Sequence, residues 1–341
     1  MDELVWFYPR GHEAHSEVGH PEHPERIETI MKTLKGKGWW DCFPHLEPVD
    51  IPEEVLTGVH TTGYLDQLKR ASQSGQSLDM DTYTTPASWD LALKAAGGAA
   101  AVAQAVWQRQ ARVGFALCRP PGHHATRNRG MGFCLLNNIA IAADTLIHNA
   151  GAERLAIVDL DLHHGNGTQD IFYSRGDVFY ISTHQSPLYP GTGSLHETGS
   201  GEGTRANANL PLPPGSGDRA FQTAMDELIL PLLGRFDPQM VLVSFGFDPH
   251  WRDPLGQLNL SAGKIGELMK NLVDWAQVNC EGRLAVFLEG GYDLQAAQAT
   301  TLTVTAALLG EPWDDLLGPS PVPETLAWQS NLKAAKTIWE L

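Results

Sequence analysis

Five short runs rich in β-branched and apolar residues recur along the chain, at Val113 to Cys118, Leu155 to Leu160, Val178 to Thr183, Met240 to Phe245 and Leu284 to Leu288. Between and around them lie helical patterns at Ser88 to Gln110, Asn137 to Asn149, Arg219 to Leu233, Ser261 to Val278 and Leu294 to Leu309. Strands alternating with helices predict βαβ units, hence an α/β protein whose central, mostly parallel sheet is covered on both faces. In such sheets ligands collect beyond the carboxyl ends of the strands. The residues just after each run are therefore where chemistry is expected.

With 341 residues, no fixed-period repeat and no long Pro/Gly/Ser linker, the simplest organisation is one domain over 1–341. Lys+Arg 24 against Asp+Glu 40 gives a net charge of −16. So acidic a surface disfavours nucleic-acid and anionic-membrane partners and leaves cationic ones open. No basic-then-apolar leader and no long apolar span are legible, and Cys42, Cys118, Cys134 and Cys280 form no Cys-x-x-Cys pair. The chain reads as soluble and cytoplasmic. Its 14 histidines, by contrast, fall in clusters.

The run Leu155 to Leu160 leads into Asp159-Leu160-Asp161-Leu162-His163-His164-Gly165-Asn166-Gly167. Strand alternation would put Asp159, Asp161 and His163 on one side. Met240 to Phe245 leads into Gly246-Phe247-Asp248-Pro249-His250, a further carboxylate at the same rim. Two carboxylates and an imidazole with an open position suit catalytic zinc, and iron or another divalent ion would also fit. Arg119-Pro120-Pro121-Gly122-His123-His124 follows another run, so a turn can aim both imidazoles into one pocket as general acid and base. Glu289-Gly290-Gly291-Tyr292 follows the last run and offers a hydroxyl as oxyanion donor. Each piece alone has an ordinary structural explanation, but four at strand ends of one sheet do not arise readily by chance.

These segments, together with His20-Pro21-Glu22-His23-Pro24-Glu25-Arg26 and Gly130-Met131-Gly132-Phe133-Cys134-Leu135-Leu136-Asn137-Asn138, resemble the histone deacetylase superfamily. Asn166 and the Glu-Gly-Gly-Tyr ending are closest to class II and its bacterial relatives. The resemblance implies a three-layer α/β/α arginase/deacetylase fold, one zinc held by Asp161, His163 and Asp248, and His124 as general base and acid. His123 would stabilise charge beside Asp159, Asn166 would sit by His124, and Tyr292 would donate to the carbonyl oxygen. Paired with Asp159, His123 should be charged, whereas neutral Asn166 leaves His124 free to accept a proton. A potassium ion is implied at Asp159, Asp161, His163, Ser182 and Thr183, and a second monovalent site near Phe172, Arg175 and Val178.

The implied substrate is an acylated lysine in a protein or peptide, or an acylated amine or polyamine, entering a narrow tunnel. Phe133 and Tyr189 match its walls, Gly132 offers a carbonyl, and Leu255 replaces the acidic gatekeeper of acetylpolyamine amidohydrolases. Tyr189 stands where the family usually has Phe, which adds a polar rim. Leu255 favours acyl-lysine; the net charge and Asp79-Met80-Asp81 suit any cation. Arg26 resembles a residue beside the acetate exit path, although a loop arginine is ordinarily solvated. His12, His15, His20 and His23 are expected to line the entrance, Cys118 and Cys134 to be buried thiols. The tail from Gly318 to Leu341 is expected to pack on the domain or on a second subunit of a homo-oligomer. A catalytically silent acyl-lysine binding module is the reading from another class, marked by loss of Tyr292 or a metal ligand, all of which are present.

Overall fold

The computed structural model describes residues 1–341. Its strands are β1 (Asp2–Phe7), β2 (His45–Leu46), β3 (Ala111–Ala116), β4 (Leu155–Asp159), β5 (Val178–Gln185), β6 (Asn207–Leu212), β7 (Met240–Phe245) and β8 (Leu284–Leu288). They form one sheet in the order β2-β1-β3-β8-β7-β4-β5-β6, with every pairing parallel. Successive side chains of a strand face opposite ways. Ala156 and Val158 of β4 therefore enter one core, and Leu155 and Ile157 the other. Helices α1 (Glu25–Gly36), α9 (Ala262–Asn279), α10 (Leu294–Leu309) and α11 (Trp328–Trp339) cover the first core. The second lies under α2 (Glu53–Val59), α3 (Thr62–Ser74), α4 (Ser88–Trp107), α5 (Asn138–Ala150) and α6 (Asn166–Phe172). This is the three-layer α/β/α architecture expected.

The departures are local and have causes. The helix expected at Arg219 to Leu233 is α7 (Asp218–Ala224), a π-helical turn (Met225–Ile229) and α8 (Leu230–Phe236). Pro231, which lacks an N–H, sits just after the wide turn. Strands β1, β2 and β6 were not anticipated: β1 opens on Asp2 and Glu3, β2 is only the two residues His45–Leu46, and β6 carries two asparagines and Pro211, tolerated because β6 is an edge strand. In the tail, Trp328, Leu332, Ala335 and Trp339 of α11 are buried in the first core, so it packs on its own chain. No helix is long and apolar enough to cross a membrane.

Candidate metal centre and active site

Strand β4 ends at Asp159, so Asp161 and His163 stand on irregular backbone past the strand rather than alternating along it, a correction to the sequence expectation. They converge nonetheless. Ligand atoms of Asp161, His163 and Asp248, all buried, lie within 4.8 Å of one another. His163 Nδ1 is 3.2 Å from Asp161 Oδ1 and 3.2 Å from Asp248 Oδ2. Backbone amides aim the carboxylates: Gly290 N donates to Asp161 Oδ2 (2.8 Å) and Leu162 N to Asp248 Oδ1 (3.2 Å). Asp248 Oδ2 is buried without a hydrogen-bond donor. Burial opposes charge on His163, yet the two carboxylates raise its imidazole to about 9, so the space between the three side chains favours a cation. An orphaned carboxylate oxygen in an N/O donor set fits a divalent metal.

The His pair stands beside this group. His123 Nδ1 donates to Asp159 Oδ2 (3.1 Å), which also accepts from the Tyr180 hydroxyl (3.0 Å). Burial opposes charge on His123, but Asp161, Asp159 and Glu289 outweigh it and raise it to about 10. His124 Nδ1 meets Asn166 Oδ1 at 2.8 Å; an amide oxygen only accepts, so Nδ1 carries the hydrogen and Nε2 is left as the acceptor. Burial and the neighbouring His123 and His163 hold His124 well below the usual range. Glu289 clamps the turn itself: its Oε2 accepts from Gly122 N (2.7 Å) and His123 N (3.0 Å).

At the end of β8 the backbone must turn between the carboxylates and a ring. A Cβ on Gly290 would sit 2.3 Å from Asp248 Oδ2, and one on Gly291, at φ 113°, 2.2 Å from the Phe247 ring, so only glycine fits either position. Tyr292 follows, half-buried, with the Phe133 ring edge-on at 5.8 Å. Arg26 is fully buried, not solvated: it pairs with Glu22, donates to the carbonyls of Gly291 and Glu289, and stacks 5.1 Å from the Tyr292 ring centroid.

Gly132 and Phe133 both take left-handed backbone, φ 56° and 68°. For a bulky residue such as Phe133 that is strain held by its surroundings. The Tyr189 ring stands edge-on to His124 at 5.2 Å, and Leu255 is half-buried on the loop after β7. Ser182 lies beside Asp159 in the β4–β5 register, the Thr183 hydroxyl is buried and unpaired, and the carbonyls of Asp161 and His163 accept no protein hydrogen bond. Near the second expected monovalent position, the Phe172 carbonyl accepts from Arg175 N (2.9 Å).

Two of the four N-terminal histidines do not line the entrance. His12 and His15 are buried, bonded to the Tyr8 and Ser88 hydroxyls, because Tyr83 stacks over His15. His20 does reach Phe133, ring to ring at 4.6 Å. Cys118 and Cys134 are buried free thiols, as expected, with burial pushing both well above the ordinary thiol range. Sequence reasoning missed the supporting roles of Glu22, Arg119, Asp253 and Glu289. Glu22, Arg119 and Glu289 stood within motifs that could have flagged them; Asp253 did not.

Residues 20–308 match the histone deacetylase domain model. The chain is 42% identical over 315 residues to a "Probable deacetylase" of Archaeoglobus fulgidus, covering 92% of this chain and 88% of that one. It is 37% identical over 295 residues to the "Histone deacetylase-like amidohydrolase" of Pseudomonas aeruginosa, covering 86% and 78%. The crystal structure of the HDA15 HD domain superposes with a TM-score of 0.89 at 34% identity, covering 99% of this chain and 95% of that one. With the family model spanning most of its length, this chain belongs to the histone deacetylase family.

Proposed function

We propose that the chain is a zinc-dependent amidohydrolase that removes acyl groups, chiefly acetyl, from lysine side chains or related acylated amines. The observation that carries this reading is the convergence of Asp161, His163 and Asp248 beside an uncharged His124, on the rim that also bears Tyr292. Those three side chains would hold one zinc ion, which when bound polarises a carbonyl and lowers the pKa of water. His124 Nε2 accepts the proton of the attacking water and returns it to the leaving amine. His123, kept charged by Asp159, stabilises the negative charge that develops on the oxygens of the tetrahedral centre. The Tyr292 hydroxyl, held protonated by burial, donates to the carbonyl oxygen. Phe133 and Tyr189 confine the acyl-bearing chain, the Gly132 carbonyl receives its N–H, and Arg26 borders the acetate path. Asp159, Asp161, His163, Ser182 and Thr183 would hold potassium, Asp161 and His163 through their free carbonyls and Thr183 through its unpaired hydroxyl.

Leu255 at the rim favours acyl-lysine; the exposed Asp81 and half-buried Asp79 are what favour an acetylpolyamine instead. Comparing kcat/KM on an acetyl-lysine peptide, a longer-acyl peptide and N-acetylated polyamines, with and without chelator, decides between them. Chelator-sensitive preference for the lysine peptide is the expected result. Preference for polyamines would transfer the assignment to the second substrate class, and no turnover with zinc bound would favour a binding module.

A further inference from the structure

We propose that Asp253 is a positioning residue: its carboxylate ties the loop bearing Leu255 to the backbone of Tyr292, and so sets where the Tyr292 hydroxyl stands. The inference rests on the role given to Tyr292 above.

The turn from Glu289 to Asp293 contains two adjacent glycines and cannot fix itself. Up to Gly291 its backbone is held by α1 and by the loops after β4 and β7: Arg26 donates to the carbonyls of Glu289 and Gly291, Gly290 N donates to Asp161, and Phe247 N donates to the Gly290 carbonyl at 3.2 Å. At Tyr292 the support passes to Asp253. Tyr292 N (2.6 Å) and Asp293 N (3.2 Å) both donate to Asp253 Oδ2, while Leu255 N donates to Asp253 Oδ1 at 3.0 Å. One carboxylate thus joins the loop after β7, which borders the tunnel, to the loop after β8.

Asp253 is only 5% exposed, and its own N–H donates to the His250 carbonyl (2.9 Å), which fixes its backbone in place. None of its hydrogen-bond partners is a Lys or Arg; all three are backbone amides. A buried carboxylate without a counter-charge is costly. Tethering alone at one loop would need only a single acceptor, whereas these three donors, on two loops, use both oxygens. An asparagine has one acceptor oxygen: kept on Tyr292 and Asp293 it turns its NH2 onto the Leu255 N–H, and kept on Leu255 it turns its NH2 onto the two amides of the β8 turn, so either way the tie is weakened.

The test pairs kinetics with a readout that needs no turnover. On metal-loaded protein and an acetyl-lysine peptide, Asp253→Asn should lower kcat roughly 10- to 100-fold with KM changed by less than about 3-fold and zinc content unchanged. In a Tyr292→Phe background the same substitution should cost less than about 3-fold, because the group it positions is gone. Equal losses in both backgrounds, or no loss in the first, would overturn the proposal. Amide exchange followed by mass spectrometry should show faster exchange across Glu289 to Asp293 in Asp253→Asn, and unchanged protection there would overturn the tie whether or not any substrate is turned over. If the wild type hydrolyses no acylated amine, the functional reading falls while the exchange result still decides the tie. Should Asp253→Asn fail to fold, Asp253→Glu keeps the charge but shifts the acceptor by a methylene, and a wild-type kcat in that variant would equally overturn it.

Discussion

Burial, and then the charges of Asp248, Asp161 and Asp253, hold the Tyr292 phenol well above its ordinary range against the opposing charge of Arg26. It is a hydrogen-bond donor at every working pH. Tyr292→Phe removes that donor and little else, since the ring contacts with Phe133 and Arg26 remain. Turnover should fall roughly 10²- to 10³-fold with zinc stoichiometry unchanged, as for loss of an oxyanion donor; unchanged turnover would take Tyr292 out of the chemistry. Asp248→Ala should instead release the metal, read as zinc retained after dialysis, because its orphaned Oδ2 is one of only three side-chain donors. Retention of one tightly bound ion would refute that assignment. Asp161, His163, Asp248 and Tyr292 were legible because each stands within a few residues of a strand end, in a contiguous string whose chemistry is local. Asp253 was not: its partners Tyr292 and Asp293 lie 39 and 40 residues away, and nothing in Asp-Pro-Leu-Gly announces them.

Among the elements, α1 reaches the site through one buried ion cluster. Glu22, just ahead of the helix, accepts from Arg26 Nη1 (2.9 Å) and from Arg119 Nε (2.8 Å), and all three side chains are fully buried. Burial alone would raise the Glu22 carboxyl; Arg119 and Arg26 outweigh it and hold it at about 2. Arg119 in turn donates to the His12 carbonyl, and Arg26 to the turn after β8, so the N-terminal segment, the His-His turn and the tyrosine turn share one anion. Glu22→Gln leaves two buried guanidinium groups short of a counter-charge, which should cost about 3–5 kcal/mol. Urea unfolding measures it, and a midpoint within error of wild type would mean the cluster contributes no net stability. The central strands were readable because β4, β5, β7 and β8 are buried throughout and hence apolar in sequence. Helix α1 was missed because its entry, His20 to Arg26, is proline-punctuated and polar; only tertiary ion pairing explains why a glutamate and an arginine go inside.

Over the whole molecule, stability below neutral pH is a contest between buried groups of opposite sign. Burial lowers His15, His60, His164 and His250 to about 4, so in the window from 6.5 down to about 4 the unfolded chain takes up protons that the folded chain refuses. Asp253 and Glu289 pull the other way: burial raises both to about 7, so the folded chain takes up their protons first as pH falls. His12, His23, His124 and His184 are held down as well, and the histidines lowered by burial outnumber the carboxyls raised by it, so the unfolded chain takes up more protons over this window and stability should fall from pH 6.5 towards 4.5. The shrinking excess of negative charge opposes this only weakly, since surface repulsion is screened by salt. His60 is the cleanest reporter because it lies away from the metal group: its Nδ1 donates to the Thr126 carbonyl (2.9 Å) and its Nε2 accepts from Asn137 N (3.0 Å), so a proton on Nε2 would face an N–H. A glutamine at 60 supplies a donor and an acceptor that cannot titrate. Denaturant unfolding of wild type and His60→Gln at pH 7.0 and 5.5, on zinc-loaded and on chelated protein, separates histidine protonation from loss of the metal. The wild type should lose stability in both forms, and His60→Gln should lose less by roughly one proton's worth of slope, about 1.4 kcal/mol per pH unit. A chelated wild type equally stable at both pH values would show that the carboxyls, not the histidines, govern the acid side of this fold.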